Sequence, residues 1–377
     1  MKELEIRRTE VNTFFKPVND TAAIEQLNKE LSADGGRTAI ISGCIDTQKV
    51  HISSAVAQNY KFMLVITSDE AKARNMCDDA AFFNGEALYY PAKDAIFYSA
   101  DVTGNQITGQ RLKCISRLIE HIKAVDSKDG QDGGLLTLVT TIDGVSDRLV
   151  PLKRYMESVI TIDSTSEIDT EKLAKKMVQM GFTRTGMVED KGQFSIRGGI
   201  IDIFSYTDEA PVRIELWDTE VDSIRMFDAE SQRSIEKLKS YHIFPATEFL
   251  FTEEEKQAGL DKIRKERDEQ LECFDYGKRK RTQEQIEAGN NINKLVGDVE
   301  RTGNYSKFLD TIIKDTAGLI EYFPVEDTLI VLDEPNRLKE CNELTLYEYG
   351  ESMKNRLAAG YVLPSQTNKI KTLNEII

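Results

Sequence analysis

Lys191-Gly192-Gln193-Phe194-Ser195-Ile196-Arg197-Gly198-Gly199-Ile200-Ile201-Asp202-Ile203-Phe204 is the stretch whose reading decides the fold. Phe194 and Ile196 alternate with Ser195 and Arg197, the period-two pattern of a half-buried strand. After Gly198-Gly199 the phase flips, and Ile201 and Ile203 become the apolar pair around Asp202. A glycine pair at a phase flip reads as a β-bulge that re-aims the strand. Upstream, Thr183 to Val188 reads as a second strand, with turn chemistry in Glu189-Asp190-Lys191-Gly192. A turn centred between Asp190 and Lys191 sets Met187 against Phe194 and Thr185 against Ile196 on the core face. It also sets Arg184 opposite Arg197 on the open face. Two cations face to face are unfavourable unless something anionic sits over them. The open face therefore reads either as a docking surface or as two solvated arginines splayed apart.

Farther along come Val212-Arg213-Ile214-Glu215-Leu216-Trp217-Asp218 and Val221-Asp222-Ser223-Ile224-Arg225. Together with the opening run they resemble the module shared by the excision-repair protein UvrB and the transcription-repair coupling factors. Phe227-Asp228-Ala229-Glu230-Ser231-Gln232-Arg233-Ser234 is closer to the coupling-factor version. The resemblance implies that this small domain docks UvrA through basic residues on the two strands. Arg184 and Arg197 fall on the matching positions, and Lys191 matches a basic position in the turn.

At 377 residues the chain is too long for one ordinary core and suggests two or three domains. A net charge of −15 argues against a broad basic surface that grips nucleic acid, though a local basic patch is compatible with it. Cys44, Cys77, Cys114, Cys273 and Cys341 are scattered, with no C-x-x-C, and read as reduced thiols. His51, His121 and His242 are too dispersed for a metal cluster. No secretory segment or apolar run of membrane-spanning length is present, so a cytoplasmic location is expected.

Asp20 caps a helix carrying Ile24, Leu27 and Leu31, which stops near Gly35-Gly36. Arg37 to Ser42 reads as a short buried strand running into Gly43, and Phe62 to Thr67 as the next strand after an intervening helix. That βαβ unit opens an α/β domain with a parallel sheet. The loop Gly43-Cys44-Ile45-Asp46-Thr47-Gln48-Lys49-Val50 matches a P-loop in frame with two failures. Gln48 stands where the second glycine lets amides close around phosphate, and Val50 replaces the hydroxyl that ligates magnesium. Asp46 adds an anion inside the cradle. Leu329-Ile330-Val331-Leu332-Asp333-Glu334 looks like a Walker B strand ending in two carboxylates. The bland alternative is a buried strand whose end meets solvent with acidic residues. Gly43, Gln48, Lys49, Val50, Asp333 and Glu334 are accordingly read as a vestigial nucleotide site.

Tyr90 to Arg111 occupies the place of a long aromatic hairpin in UvrB, but it is short, with Phe97 and Tyr98 followed by polar loop residues Asp101 to Asn105. It reads as a connecting loop before a helix from Arg111 to Lys123. Leu136 to Thr141 is a strand after the flexible Ser127 to Gly134 linker. The second domain opens near Arg154, with a strand at Val159 to Ile162 and a helix from Glu171 to Met180 carrying Leu173, Met177 and Met180 on one face, with Gly181 at its end. Strands come next at Val212 to Trp217 and Val221 to Phe227. Trp217 points away from that core, toward either the docking face or a domain boundary. His242 to Ala246 is expected to return the chain to the first domain, and Glu253 to Leu271 is a charged helix with Leu260, Ile263 and Leu271 on one side. Lys278-Arg279-Lys280-Arg281, the one dense basic run, reads as a solvated helix start or a DNA contact. Tyr305 to Tyr322 looks helical, and Leu363-Pro364-Ser365 is expected to complete the sheet.

The expected fold is α/β: a degenerate, helicase-like P-loop NTPase domain with a parallel sheet, in residues 1–153 and 241–377, interrupted by a small α+β docking domain in 154–240. The function the resemblance implies is a non-catalytic, UvrA-recruiting module of a transcription-repair coupling factor, needing no cofactor itself. ATP, magnesium, RNA polymerase and DNA are then implied as ligands of motor and polymerase-binding parts beyond an N-terminal fragment. Two alternatives stay open, an ATP-dependent DNA helicase or translocase domain and a UvrB-like DNA-damage-loading protein.

Overall fold

A computed structural model describes residues 14–31, 38–93, 101–126, 134–274 and 280–376, with only the backbone for 101–105. Its strands in chain order are β1 (Phe62–Thr67), β2 (Ala87–Tyr90), β3 (Leu136–Thr141), β4 (Ile160–Asp163), β5 (Thr183–Arg184), β6 (Gln193–Arg197), β7 (Ile200–Phe204), β8 (Val212–Trp217), β9 (Glu220–Phe227), β10 (Ser234–Lys237), β11 (Ser240–Ile243) and β12 (Thr328–Leu332). The chain divides into two compact units. The first comprises Met1–Ala92, Arg117–Val145 and Phe323–Glu343, and the second Lys93–Ser116, Ser146–Tyr322 and Leu344–Ile377.

The first unit is built on a parallel sheet in the order β12-β1-β3-β2. β1 and β3 are continuous apolar or threonine runs buried along their whole length, as central parallel strands covered on both faces must be. The helix Glu70–Asn84 links β1 to β2. Asp69 starts it by accepting a hydrogen bond from the Lys72 amide at 2.9 Å. The helix Asp101–Asp126 links β2 to β3.

The expected strand at Arg37 to Ser42 is not made. Arg37 lies outside the described residues, residues 38–42 join no ladder, and Ile40 is 91% exposed. Among the described residues β1 is flanked by β12 and β3, and the outer edges of β12 and β2 carry no further strand. The βαβ units of this sheet are therefore built from β1, β2 and β3. The helix expected from Arg111 starts ten residues earlier, at Asp101. Packing of Ile107 to Gln110, which are partly buried, overrides the weak helix propensity of Thr103, Gly104 and Asn105. Phe97 and Tyr98 lie outside the described residues, as do Ser127 to Gly133, Lys278 and Arg279.

The second unit carries a six-stranded sheet in the order β10-β9-β8-β7-β6-β5. β6 to β10 form an antiparallel meander. The helix Thr170–Gln179, capped by Asp169, lays Leu173 and Met177 against Phe194, Ile201, Ile203, Val212, Ile214 and Ile224. β4 and β11 pair antiparallel, and Tyr241, Ile243 and Ala246 enter this same core.

Around Gly198-Gly199 the chain closes differently from the expectation. The two glycines are the loop of a β6–β7 hairpin, with Arg197 opposite Ile200, Ile196 opposite Ile201 and Phe194 opposite Ile203. Directly opposed residues share a face, so the phase flip read as a bulge is what a hairpin turn produces. Gly198 takes φ +60°, the left-handed conformation that the first central position of such a loop needs. β5 runs parallel to β6, with Thr183 in register with Gln193 and Arg184 with Phe194. Met187 is 47% exposed and does not face Phe194 in the core.

Two later expectations also change. Tyr305 to Tyr322 is broken into short turns at Ser306–Phe308, Leu309–Ile312 and Ile320–Tyr322. Ala317 leaves the helical path to exchange backbone hydrogen bonds with Leu149, both at 2.8 Å. Pro364–Gln366 is one 3-10 turn and joins no sheet, consistent with a proline that has no N–H to give a ladder. Among the described residues no helix is long and apolar enough to cross a membrane.

Candidate functional site

The parallel sheet places the ends of β1 and β12 side by side, since Ile66 is in register with Leu332. Thr67 and Asp333 are the next residues along the chain, and the Thr67 hydroxyl donates to Asp333 Oδ2 at 2.9 Å. The Lys49 ammonium reaches in from the first turn of the helix Asp46–Ala57. It lies 2.8 Å from Asp333 Oδ1, 3.1 Å from Glu334 Oε1 and 3.0 Å from Asp46 Oδ1. Lys72, in the first turn of the helix Glu70–Asn84, lies 2.6 Å from Asp333 Oδ2, 3.3 Å from Glu334 Oε1 and 3.6 Å from Asp46 Oδ1. The structure thus brings Lys49, Asp333 and Glu334 together, as the sequence suggested, and adds Asp46 and Lys72.

The electrostatics keep all five groups charged at neutral pH. Burial opposes the Lys49 charge, but hydrogen bonds to Asp333, Asp46 and Glu334 outweigh it and hold its pKa above the usual lysine value. Lys72 is raised on the same balance of burial against Asp333 and Glu334. Asp333, whose side chain is 1% exposed, is pushed up by burial and pulled further down by Lys49, Lys72 and Thr67, ending below the usual carboxylate range. Asp46 and Glu334 are lowered chiefly by the Lys49 hydrogen bond.

The remaining predicted positions serve the fold. Gly43 is left-handed, with φ +84°. The Gln48 side chain accepts from the Ile45 amide at 3.2 Å, satisfying a free donor at the start of its own helix. Val50 is buried among Ala57, Met63, Val65 and Val139. A nucleotide-bound magnesium needs oxygen ligands around open coordination positions. The Asp46, Asp333 and Glu334 oxygens lie within 4.8 Å of one another but converge on two ammonium groups, and the hydroxyl position is an apolar core residue. The donor set does not fit that metal. Lys72 carried no motif. Its signal was the adjacency of β1 and β12, which sets the loop and helix start after Thr67 beside the carboxylates after Leu332.

The basic positions of the second sheet are spread out. Arg184 lies exposed on the short edge strand β5 and has no anionic partner among the described residues. Lys191 is exposed before β6, its ammonium 5.6 Å from the centre of the Phe204 ring. Arg197, 47% exposed, donates to the buried Asp202 at 2.8 Å. Arg213 holds the same carboxylate at 2.6 and 2.9 Å and stacks over Phe227. The expected face-to-face pair of Arg184 and Arg197 does not form. Arg184 shares the register and face of Phe194, and strand alternation puts Arg197 on the opposite one. Trp217, 81% exposed, sits at the β8–β9 turn. In the basic run, Arg281 is half-buried and donates to the Leu271 carbonyl at 3.3 Å, ahead of the helix Gln283–Thr302.

Residues 160–249, which enclose both basic strands and the six-stranded sheet, match the family model of the UvrB interaction domain. This segment is a UvrB interaction domain. The similarity extends well outside it. The chain is 31% identical over 365 residues to the transcription-repair-coupling factor of Bacillus subtilis (strain 168), covering 94% of this chain and 29% of that protein. It is 28% identical over 329 residues to the transcription-repair-coupling factor of Staphylococcus aureus (strain Mu50 / ATCC 700699), covering 86% of this chain and 27% of that one. The chain thus spans a little under a third of the length of these relatives. The UvrB interaction domain holds Arg184, Lys191 and Arg197, while the charged cluster lies in the other compact unit.

Proposed function

We propose that this chain is the UvrA-recruiting part of a transcription-repair coupling factor, acting by docking and without nucleotide chemistry of its own. The observation that carries the reading is Arg184: an exposed arginine, unpaired among the described residues, on the open edge strand of a UvrB interaction domain. An edge strand presents unpaired backbone groups to a partner, and a free arginine adds bidentate recognition of carboxylates. Lys191 is a second exposed cation of the same domain, placed before β6 with its ammonium toward Phe204 of β7 rather than on the β5 edge. Arg197 contributes less, because its guanidinium is already engaged by Asp202. RNA polymerase and DNA belong, on this reading, to the remainder of a coupling factor.

Calorimetric titration of purified UvrA into the chain tests the proposal. Saturable binding that Arg184→Ala weakens and Arg184→Glu weakens further is the expected result, because reversal adds repulsion from the partner's acidic groups. Wild-type affinity in both variants, with circular dichroism unchanged, would falsify the assignment of this edge.

A further inference from the structure

The charged cluster contains one ammonium group that a nucleotide site has no use for. In a P-loop the motif lysine faces phosphate, and the acidic residue at the Walker B strand end faces a hydrated divalent cation. Here Asp333 spends both oxygens on lysines, Oδ1 on Lys49 and Oδ2 on Lys72, and takes the Thr67 hydroxyl as well. Lys72 also reaches Glu334 and Asp46, the same oxygens that would have to turn toward a metal. A hollow of about 440 Å³ opens beside the cluster, and its lining carries Asp46, Asp78 and Asp79 against the single ammonium of Lys72, so a polyphosphate entering there would meet more carboxylates than cations.

We infer that Lys72 is a built-in counter-cation: its ammonium occupies the position among Asp46, Asp333 and Glu334 that a divalent metal would need. The consequence is twofold. Metal and nucleotide are excluded by an internal charge that cannot diffuse away, and the first turns of the helices Asp46–Ala57 and Glu70–Asn84 are tied to the end of β12. Displacing Lys72 would bring a second cation against an ammonium within contact distance, in a place where Asp333 has almost no water to screen the repulsion. With Lys72 neutralised, three carboxylates would face the single ammonium of Lys49, and the cluster would gain an appetite for a divalent cation. The inference is independent of partner docking.

Manganese is the probe, followed by calorimetry and by paramagnetic broadening of the amides of Ile66 to Ser68 and Leu332 to Glu334. The wild-type chain and Lys72→Arg should show neither saturable heat nor selective broadening. Lys72→Met should bind manganese at least about tenfold more tightly than wild type, with broadening at those amides, and Lys72→Met/Asp333→Asn should lose the gain. Selective broadening in wild type or Lys72→Arg would overturn the inference, as would a folded Lys72→Met with no gain. Should Lys72→Met not fold, Lys72→Gln takes its place under the same criteria, and the wild-type and Lys72→Arg spectra retain their power to refute.

Discussion

Asp333 combines near-complete withdrawal from water with three donors, the two ammonium groups and the Thr67 hydroxyl. Asp333→Asn keeps the shape and removes the charge, leaving two lysines under-compensated. We expect a loss of about 2 kcal/mol in denaturant unfolding at neutral pH, the scale of a hydrogen bond to a charged group. The sign of its pH dependence comes from the shifts. Asp333, Asp46 and Glu334 have lowered folded pKa values, so their contribution is present above the unfolded carboxylate value near about 4 and is lost as pH falls through the folded values. Lys49 and Lys72 are raised, so theirs is present below about 10.4 and is lost as pH rises through the folded values. The Asp333→Asn penalty should therefore be full at neutral pH and shrink in acid. Lys49→Ala should lower stability modestly and leave UvrA affinity unchanged. A loss of UvrA affinity matching that of Arg184→Ala would contradict the docking site. The arginines separate as well. Arg184→Ala should cost about 1–3 kcal/mol of UvrA binding with no change in thermal stability. Arg197→Ala should cost less binding, and little stability, because Arg213 still holds Asp202.

Among elements, the helix Thr170–Gln179 shows how a terminus sets the packing. Gly181 lies just past its end at φ +88°, and a Cβ there would lie 2.6 Å from the Thr247 Cβ. Gly181→Ala therefore combines a left-handed backbone with a clash against a packed neighbour. A destabilisation of about 2–4 kcal/mol is expected, read as a shift of the urea midpoint at unchanged slope. A midpoint within error of wild type would mean that Thr247 moves freely, and that Ala246, which enters the core one residue earlier, does not anchor this return of the chain. The β6–β7 hairpin carries the complementary lesson. Its inward residues were legible from alternation alone, but the same alternation fits a bulge in one long strand or a tight turn between two strands.

For the whole molecule, charge is the governing quantity. The net charge is −15, and many of its basic side chains are occupied by carboxylates, including Lys49, Lys72, Arg111, Arg154, Arg197, Arg213 and Arg225. The isolated chain should therefore show no duplex DNA binding by fluorescence anisotropy at about 0.15 M salt, where screening leaves only close contacts effective. Measurable affinity falling steeply with salt would instead favour a DNA-loading role.

The sequence by itself determined the local grammar of this protein. Strand alternation at Phe194 to Ile203, the helix after Glu171 that stops at Gly181, the strand leading to Asp333 and Glu334, and the departures from the P-loop pattern at Gln48 and Val50 all depend on residues within a few positions of one another. Gln48 and Val50 could be recognised as departures from the P-loop pattern, though not as a helix-end acceptor and a core side chain. Only the tertiary structure decided which strands are neighbours. β12 and β3 flank β1 on both sides, so residues 38–42 are not its neighbour, and the parallel arrival of β5 parts Arg184 from Arg197. It also decided which charges meet. Lys49 and Asp333 are 284 residues apart, and Lys72 joins them because β1 and β12 end side by side. Such contacts are set by chain closure over hundreds of residues, and no period or spacing along the chain records which partner that closure will supply.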